Sequence, residues 1–312
     1  MTKHLLPPVY TLAAADVAEL TRTQRQADGL RVFRGSYVSR SVELTLPLTV
    51  RAALQVLPEG ALASHATAAA LMGAPVEASR PLDFTVRPGA YRARRTGLRI
   101  HVRSLGEADE IRIDGLPTTS GAQTWLDLAA LLADDELVAV GDALWRRGHL
   151  DAEILAERLA RANGARGVVR ARACAPLLSP LAMSRPESLL RYWLLTSPLP
   201  DPQPQVAIHD RWGRVVAHGD LGYPEWRVLL EYEGRQHADH EQFGRDVDRY
   251  SLMGADGWLV LRFAGRHITG PSVVVERTRR ALISRGWRPG TGDHRRVAAL
   301  DGVSGSHPPM IN

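Results

Sequence analysis

The chain has 312 residues and a formal net charge of +5, and of its 39 basic residues only one, Lys3, is a lysine. A phosphate loop that needs a lysine after its glycines and a Schiff-base enzyme that needs a lysine nucleophile are therefore excluded. The one cysteine, Cys174, excludes an intramolecular disulfide, an all-cysteine zinc site and an iron–sulfur cluster.

Apolar residues make up 45% of the chain, enough for a real core, and the length suggests about two domains. No run of about 18 apolar residues is present, so no membrane attachment is expected. Met1–Leu20 lacks the parts of a signal peptide, which makes a cytoplasmic location the expectation. The basic excess permits a nucleic-acid partner, although a GC-rich genome also favours arginine over lysine.

In chain order, Thr11 caps a short helix through Ala18, and a second helical piece runs near Thr21–Ala27. Arg31–Val38 then alternates around Gly35 as a short hairpin does. Two short helices and a β-wing make a minimal, degenerate winged helix over residues 1–45. Arg22, Arg25, Arg31 and Arg34 are placed to meet phosphates. Over residues 46–175, Leu48–Leu57 and Ala61–Leu71 read as helices, and Leu82–Val86 and Leu98–Val102 as the strands of a hairpin. Arg87, Arg92, Arg94, Arg95, Arg99 and Arg103 crowd that hairpin with no acid between them. Such a strip repels itself unless solvent or an anion covers it, and Arg92, Arg94 and Arg95 are its nucleic-acid-binding candidates. Helices follow near Ser120–Leu132, Asp134–Arg146 and Asp151–Ala162, and Gly164–Pro180 reads as a boundary or a helix hairpin.

Residues 184–289 are the most informative. Ser184-Arg185-Pro186-Glu187 is a helix start, with serine at the cap and glutamate in the first turn. Leu189, Leu190, Trp193 and Leu194 give that helix an apolar stripe. Strands read at Gln205–Ile208, Arg214–Gly219 and Val228–Glu233, then a helix from about Asp239 to Ala255, a buried strand at Trp258–Phe263 and a closing helix at Pro271–Arg285. The order is αβββαβα. From Gly290 the small and polar residues predict a disordered tail, 290–312.

Within Val228–Glu233 alternate side chains share a face, so Glu231 and Glu233 point one way and Leu230 and Tyr232 the other. Asp220, at the end of the preceding strand, comes beside Glu231. Between Asp220 and Asp248 eight acids stand against three arginines, a local charge of −5 in a chain of +5. Converging carboxylates require a cation, and Mg²⁺ suits them because it prefers hard oxygens and keeps several waters. His237, just after the strand, is placed to act as a general base or a further ligand.

Several of these pieces together resemble a known family. Pro186-Glu187-Ser188, then Asp220, then Glu231-Tyr232-Glu233-Gly234 with His237, then Arg245-Asp246 with Arg249, and Gly257-Trp258 through Arg262 resemble the very-short-patch-repair-like endonucleases of the restriction-endonuclease-like, PD-(D/E)xK superfamily. The likeness covers about Ser184–Arg285. Before it, Val32–Val38, Ser64–Ala69 and Thr124–Ala129 resemble actinobacterial relatives of the AbiEi-type antitoxins of type IV toxin–antitoxin systems. The fold so implied is α/β, a C-terminal restriction-endonuclease-like core behind an N-terminal α+β region with the degenerate winged helix.

The resemblance implies Asp220 and Glu231 as metal-binding carboxylates and Glu187 as the first-helix acid that holds a metal-bound water. The reaction implied is Mg²⁺- or Mn²⁺-assisted hydrolysis of DNA phosphodiesters. The superfamily's lysine position is Glu233 here, and the domain holds no lysine to replace it. The very-short-patch subgroup uses histidine for proton transfer, which makes His237 the candidate. Asp246 and Arg249 form a supporting pair on a helix, and Arg262 reaches phosphate from the last strand. Two functions compete: a metal-dependent DNA endonuclease with a regulatory or DNA-contacting N-terminal region, and an antitoxin-like DNA-binding transcriptional regulator with an inactive nuclease fold. Retention of Asp220, Glu231 and Glu187 together favours the enzyme.

Overall fold

The computed structural model describes residues 7–18, 21–90, 95–209, 212–234 and 249–290. The chain divides into two mixed α/β units, Met1–Leu131 with Arg147–Gly167, and Leu132–Arg146 with Val168–Asn312.

The first unit begins with β1 (Val9–Thr11), α1 (Leu12–Val17), α2 (Arg22–Asp28), β2 (Gly29–Phe33) and β3 (Ser36–Ser39). Thr11 caps α1 by accepting the Ala14 N–H at 3.2 Å, satisfying one of the donors that a helix start leaves open. Gly35, at φ 94°, turns β2 into β3 in a conformation that a side chain would strain. The three strands pair antiparallel in the order β1-β3-β2.

Next come α3 (Leu46–Leu54), β4 (Leu62–Ala63), α4 (His65–Leu71), β5 (Leu82–Val86), β6 (Leu98–Val102), β7 (Glu110–Ile113) and β8 (Leu116–Thr119). These strands form a second sheet of order β6-β5-β4-β8-β7. The core joins Val9, Val32, Phe33 and Val38 to Val50, Leu82 and Phe84. Two expectations need correction. The helix expected over Ala61–Leu71 starts only at His65, because Leu62 and Ala63 pair with β5 and β8 as a strand. The strands at Leu82–Val86 and Leu98–Val102 are as expected, but they pair parallel and are not a hairpin.

The second correction changes the arginine strip. Arg99 pairs with Asp83 at 3.1 Å, Arg103 with Asp127 at 3.0 Å, and Arg87 with Glu110. Tertiary structure supplies the acids that the local sequence lacks. The unit is completed by α5 (Gly121–Leu128) and, after α6 (Asp134–Arg146) of the other unit, by α7 (Ala152–Ala160).

The second unit contains α6, α8 (Val168–Cys174), α9 (Arg185–Leu195), β9 (Gln203–His209), β10 (Val215–Tyr223), β11 (Val228–Glu233), α10 (helical residues 249–255), β12 (Leu259–Ala264) and α11 (Pro271–Ser284). From α9 onward the order is the expected αβββαβα. The sheet runs β12-β11-β10-β9, antiparallel from β9 to β11 and parallel between β11 and β12. On one face Leu189, Leu190, Trp193 and Leu194 of α9 bury Val228, Leu230 and Phe263 together with Val274 and Leu282 of α11. On the other, Leu229 meets Val206, Ile208 and Met253. Each such side chain contributes about 1.5–3 kcal/mol of transfer free energy. Central β11 is thus apolar on both faces until it reaches Glu231. No helix among the described residues is long and apolar enough to cross a membrane.

Candidate active site

Two neighbouring strands carry the acids. The β10–β11 register sets Leu221 opposite Leu230, and one further step sets Asp220 opposite Glu231. Asp220 lies inside β10 and not at the strand end expected, because pairing extends the strand to Tyr223. Its Oδ2 accepts the Tyr232 backbone N–H at 2.8 Å. The expected alternation holds: Leu230 enters the core with α9, while Glu231 is 3% exposed and Glu233 stands half-exposed in an ion pair with Arg262. The parallel register places Arg262 directly beside Glu231.

Glu231 is held from α10. Arg249 donates Nη1 to Oε1 and Nη2 to Oε2, both at 3.1 Å, a two-point grip on the carboxylate. The Tyr250 hydroxyl donates to Oε2 at 2.5 Å. The Tyr250 ring also lies 4.9 Å from the Arg249 guanidinium and 4.5 Å from that of Arg262. Nothing in the residue types of the Arg249-Tyr250 pair marks Tyr250 as a partner of Glu231; the contact depends on how α10 returns over the sheet.

Glu187 is 8% exposed in the first turn of α9. Ser184 and Glu187 cap each other: the Ser184 hydroxyl donates to Glu187 Oε1 at 2.8 Å, and the Glu187 N–H donates to Ser184 Oγ at 3.4 Å. Met183 N–H donates to the other oxygen, Oε2, at 2.8 Å.

Burial pushes the pKa values of Glu231, Asp220 and Glu187 above the usual carboxylate range. The Asp220 charge adds to the rise at both Glu231 and Glu187. Tyr250 and Arg249 oppose it at Glu231, and the Tyr232 N–H and Arg249 oppose it at Asp220. Asp220 thus couples by charge to both Glu231 and Glu187, and all three acids are desolvated.

Among the described residues no three histidine, cysteine, aspartate or glutamate side chains gather closely enough to hold a metal ion. His237 and Asp246 lie outside the described residues, as do Arg92 and Arg94. Arg22 is exposed on α2; the side chain of Arg25 is outside the described set. Arg34 is exposed, and its carbonyl accepts Arg95 Nη1 at 3.1 Å, so Arg95 folds back onto the protein. Cys174 is buried and its thiol is pushed up to about 12, which removes it as a nucleophile.

No family model matches the chain. The chain is 30% identical over 234 residues to the uncharacterized protein Rv2248 of Mycobacterium tuberculosis (strain ATCC 25618 / H37Rv), a span of 74% of this chain and 84% of that one. The same figures hold for the uncharacterized protein MT2308 of Mycobacterium tuberculosis (strain CDC 1551 / Oshkosh). A match of that length draws on both units, and the chain belongs to the family of these two mycobacterial proteins.

Proposed function

We propose that this chain is a metal-dependent DNA endonuclease, with a restriction-endonuclease-like, very-short-patch-repair-like second unit and an antitoxin-like first unit whose winged helix contacts DNA. The observation that carries this is Glu231. A carboxylate 3% exposed in the middle of a sheet, opposite a second carboxylate, is expensive and serves no packing purpose. Its place on the central strand of an αβββαβα unit supports the same reading.

The donor set suits a hard divalent cation, Mg²⁺ or Mn²⁺, under one condition. Asp220 Oδ1 carries no hydrogen bond among the described residues, but both oxygens of Glu231 are taken by Arg249. Asp220 and Glu231 would hold the ion once Arg249 lets go. When bound, the ion supplies positive charge at the scissile phosphate. The protein's own groups do the rest. The Tyr232 N–H fixes the Asp220 carboxylate, and the buried surroundings strengthen every charge interaction there. Glu187, anchored by Ser184 and Met183, positions water. Arg262, half-exposed within β12, meets a phosphate oxygen, and His237 and Glu233 are the groups that take up the proton.

The grip of Arg249 on Glu231, in a domain with no lysine, favours a second reading: an antitoxin-like DNA-binding regulator whose nuclease fold is inactive. A cleavage assay divides the two. Wild-type protein should nick or cut DNA with Mg²⁺ or Mn²⁺ and stop with chelator. Glu231→Gln should lose at least about 100-fold in rate with its circular dichroism unchanged. If both proteins bind DNA equally and neither cuts any DNA form, the regulator reading replaces the enzyme.

A further inference from the structure

We propose that the first unit carries a phosphate-binding site on the edge strand β6, formed by Arg99, His101 and Arg103. It belongs to the first unit alone and does not rest on the nuclease reading.

The site begins with alternation. Phe84 and Ile100 of the paired strands β5 and β6 face the core, so Asp83, Thr85, Arg99 and His101 occupy the opposite face. On that face Asp83 Oδ1 accepts Arg99 Nη1 at 3.1 Å and bonds His101 Nε2 at 2.8 Å. Asp127 of α5 pairs with Arg103 at 3.0 Å and accepts Gln123 Nε2 at 2.8 Å. The His101 ring stacks on His65 of α4, with centroids 3.7 Å apart and planes 18° apart.

Three features of this network are costly and unrelated to packing. His65 is not a glycine, yet its φ is 50°. Asp127 is 1% exposed, and its Oδ2 has no hydrogen-bond partner among the described residues, only His65 Nδ1 at 3.7 Å. The buried Thr85 Oγ1 also has none. Buried polar atoms are almost always paired, so such a concentration of exceptions calls for a role. All of them lie around His101.

His101 is where the network reaches solvent. Its side chain is 25% exposed, that of Arg103 29% and that of Arg99 52%. Asp83 commits Nε2 of His101, fixing the ring and leaving Nδ1 without a hydrogen bond among the described residues. Asp83 and Asp127 likewise take one guanidinium nitrogen each from Arg99 and Arg103, and the remaining N–H groups have no hydrogen bond among the described residues. Arg99 and His101 alternate on β6 and Arg103 follows just past its end, with neighbours about 7 Å apart. Two arginine forks call for a ligand with several acceptor oxygens, and His101 adds a third donor, Nδ1–H, only as the imidazolium, since Asp83 takes the Nε2 proton. Phosphate supplies three or four and can engage all three side chains, whereas a carboxylate supplies two.

The test is a titration of the full chain followed by the ring ¹⁵N signals of His101. The probes are inorganic phosphate and a short single-stranded DNA, with sodium chloride at matched ionic strength as control. The His101 signals should move saturably with phosphate or with the oligonucleotide. Saturation by inorganic phosphate identifies a small phosphate ligand; saturation by the oligonucleotide alone identifies a phosphodiester strand. His101→Gln removes the reporter and, in calorimetry, should abolish the binding. Arg99→Gln should weaken it about tenfold. Arg103 neutralises buried Asp127, so it is tested as the double variant Arg103→Gln with Asp127→Asn, which keeps the interior uncharged and should weaken binding similarly. Shifts that follow chloride without saturating, or affinity unchanged in both arginine variants, overturn the proposal.

Discussion

Glu231 and His65 are each 3% exposed, and the two are handled in opposite ways. Glu231 keeps a bidentate arginine, whereas His65 is held neutral. Burial first, then the charges of His101, Arg103 and Arg99, push His65 down to about 3, with Asp83 alone pulling upward. The ordinary histidine value is 6.5, so below it the unfolded chain binds the extra proton and the folded chain does not. Stability from this group is therefore complete above pH 6.5 and is lost as pH falls toward 3, at about 1.4 kcal/mol per pH unit. His65→Asn keeps a residue that tolerates the left-handed backbone and removes the titration. Denaturant unfolding between pH 6.5 and 4 should show the wild type losing stability more steeply than the variant. Asp127, raised by burial, works the other way but is common to both proteins. Parallel slopes would show that His65 protonates freely in the folded state.

At the scale of elements, the helix starts were readable because a cap is a local event. Thr11, Ser120, Asp151 and Ser184 each accept a backbone N–H three residues on, as their side chains and positions indicate. Strand β11 was readable because Glu231 and Glu233 alternate with Leu230 and Tyr232 after an apolar run. What escaped was decided by distant partners. Leu62–Ala63 form a strand only because β5 and β8 flank them. Strands β7 and β8, absent from the sequence-based expectation, form around the Gly115 turn and close the second sheet. Gly121 shows how tightly such elements meet. It opens α5, and a Cβ on it would fall 1.9 Å from the His149 carbonyl oxygen. Backbone cannot yield as a flexible side chain does, so Gly121→Ala should destabilise the first unit by about 3 kcal/mol. A chemical denaturation midpoint equal to wild type would mean that the α5–α7 connection moves freely.

At the scale of the molecule, each unit has its own core, one built on Phe84 and Val50, the other on Leu190, Leu230 and Phe263. Unfolding should therefore show two transitions, and a substitution should move one of them. Asp220 is raised by burial, so the folded second unit binds its proton more tightly than the unfolded chain, and stability declines as pH rises through the folded value. Asp220→Asn keeps an acceptor for Tyr232 N–H and removes the charge. At pH 7.5 it should stabilise the second unit by about 0.5–2 kcal/mol and leave the first transition in place; on the endonuclease proposal it should also abolish cleavage. Calorimetry in which both transitions shift together would contradict this division. The boundary itself was hidden in the sequence: α6 follows α5 in the chain yet belongs to the second unit, where its Asp142 takes buried Arg191 at 2.7 Å.

By itself the sequence determined the order of elements from α9 onward, the caps, the paired acids Asp220 and Glu231, and the exclusion of any lysine chemistry there. These depend on residue type, local backbone preference and a period of two or three to four residues. Only the tertiary structure decided that Arg249 and Tyr250 grip Glu231 and that β5 and β6 run parallel. It alone set Asp83 and Asp127 against the arginines and assembled His65 with His101 around them. The physical reason is the same in each case: charge pairing, desolvation and strand direction are set by groups that are far apart in the chain and meet only when it folds.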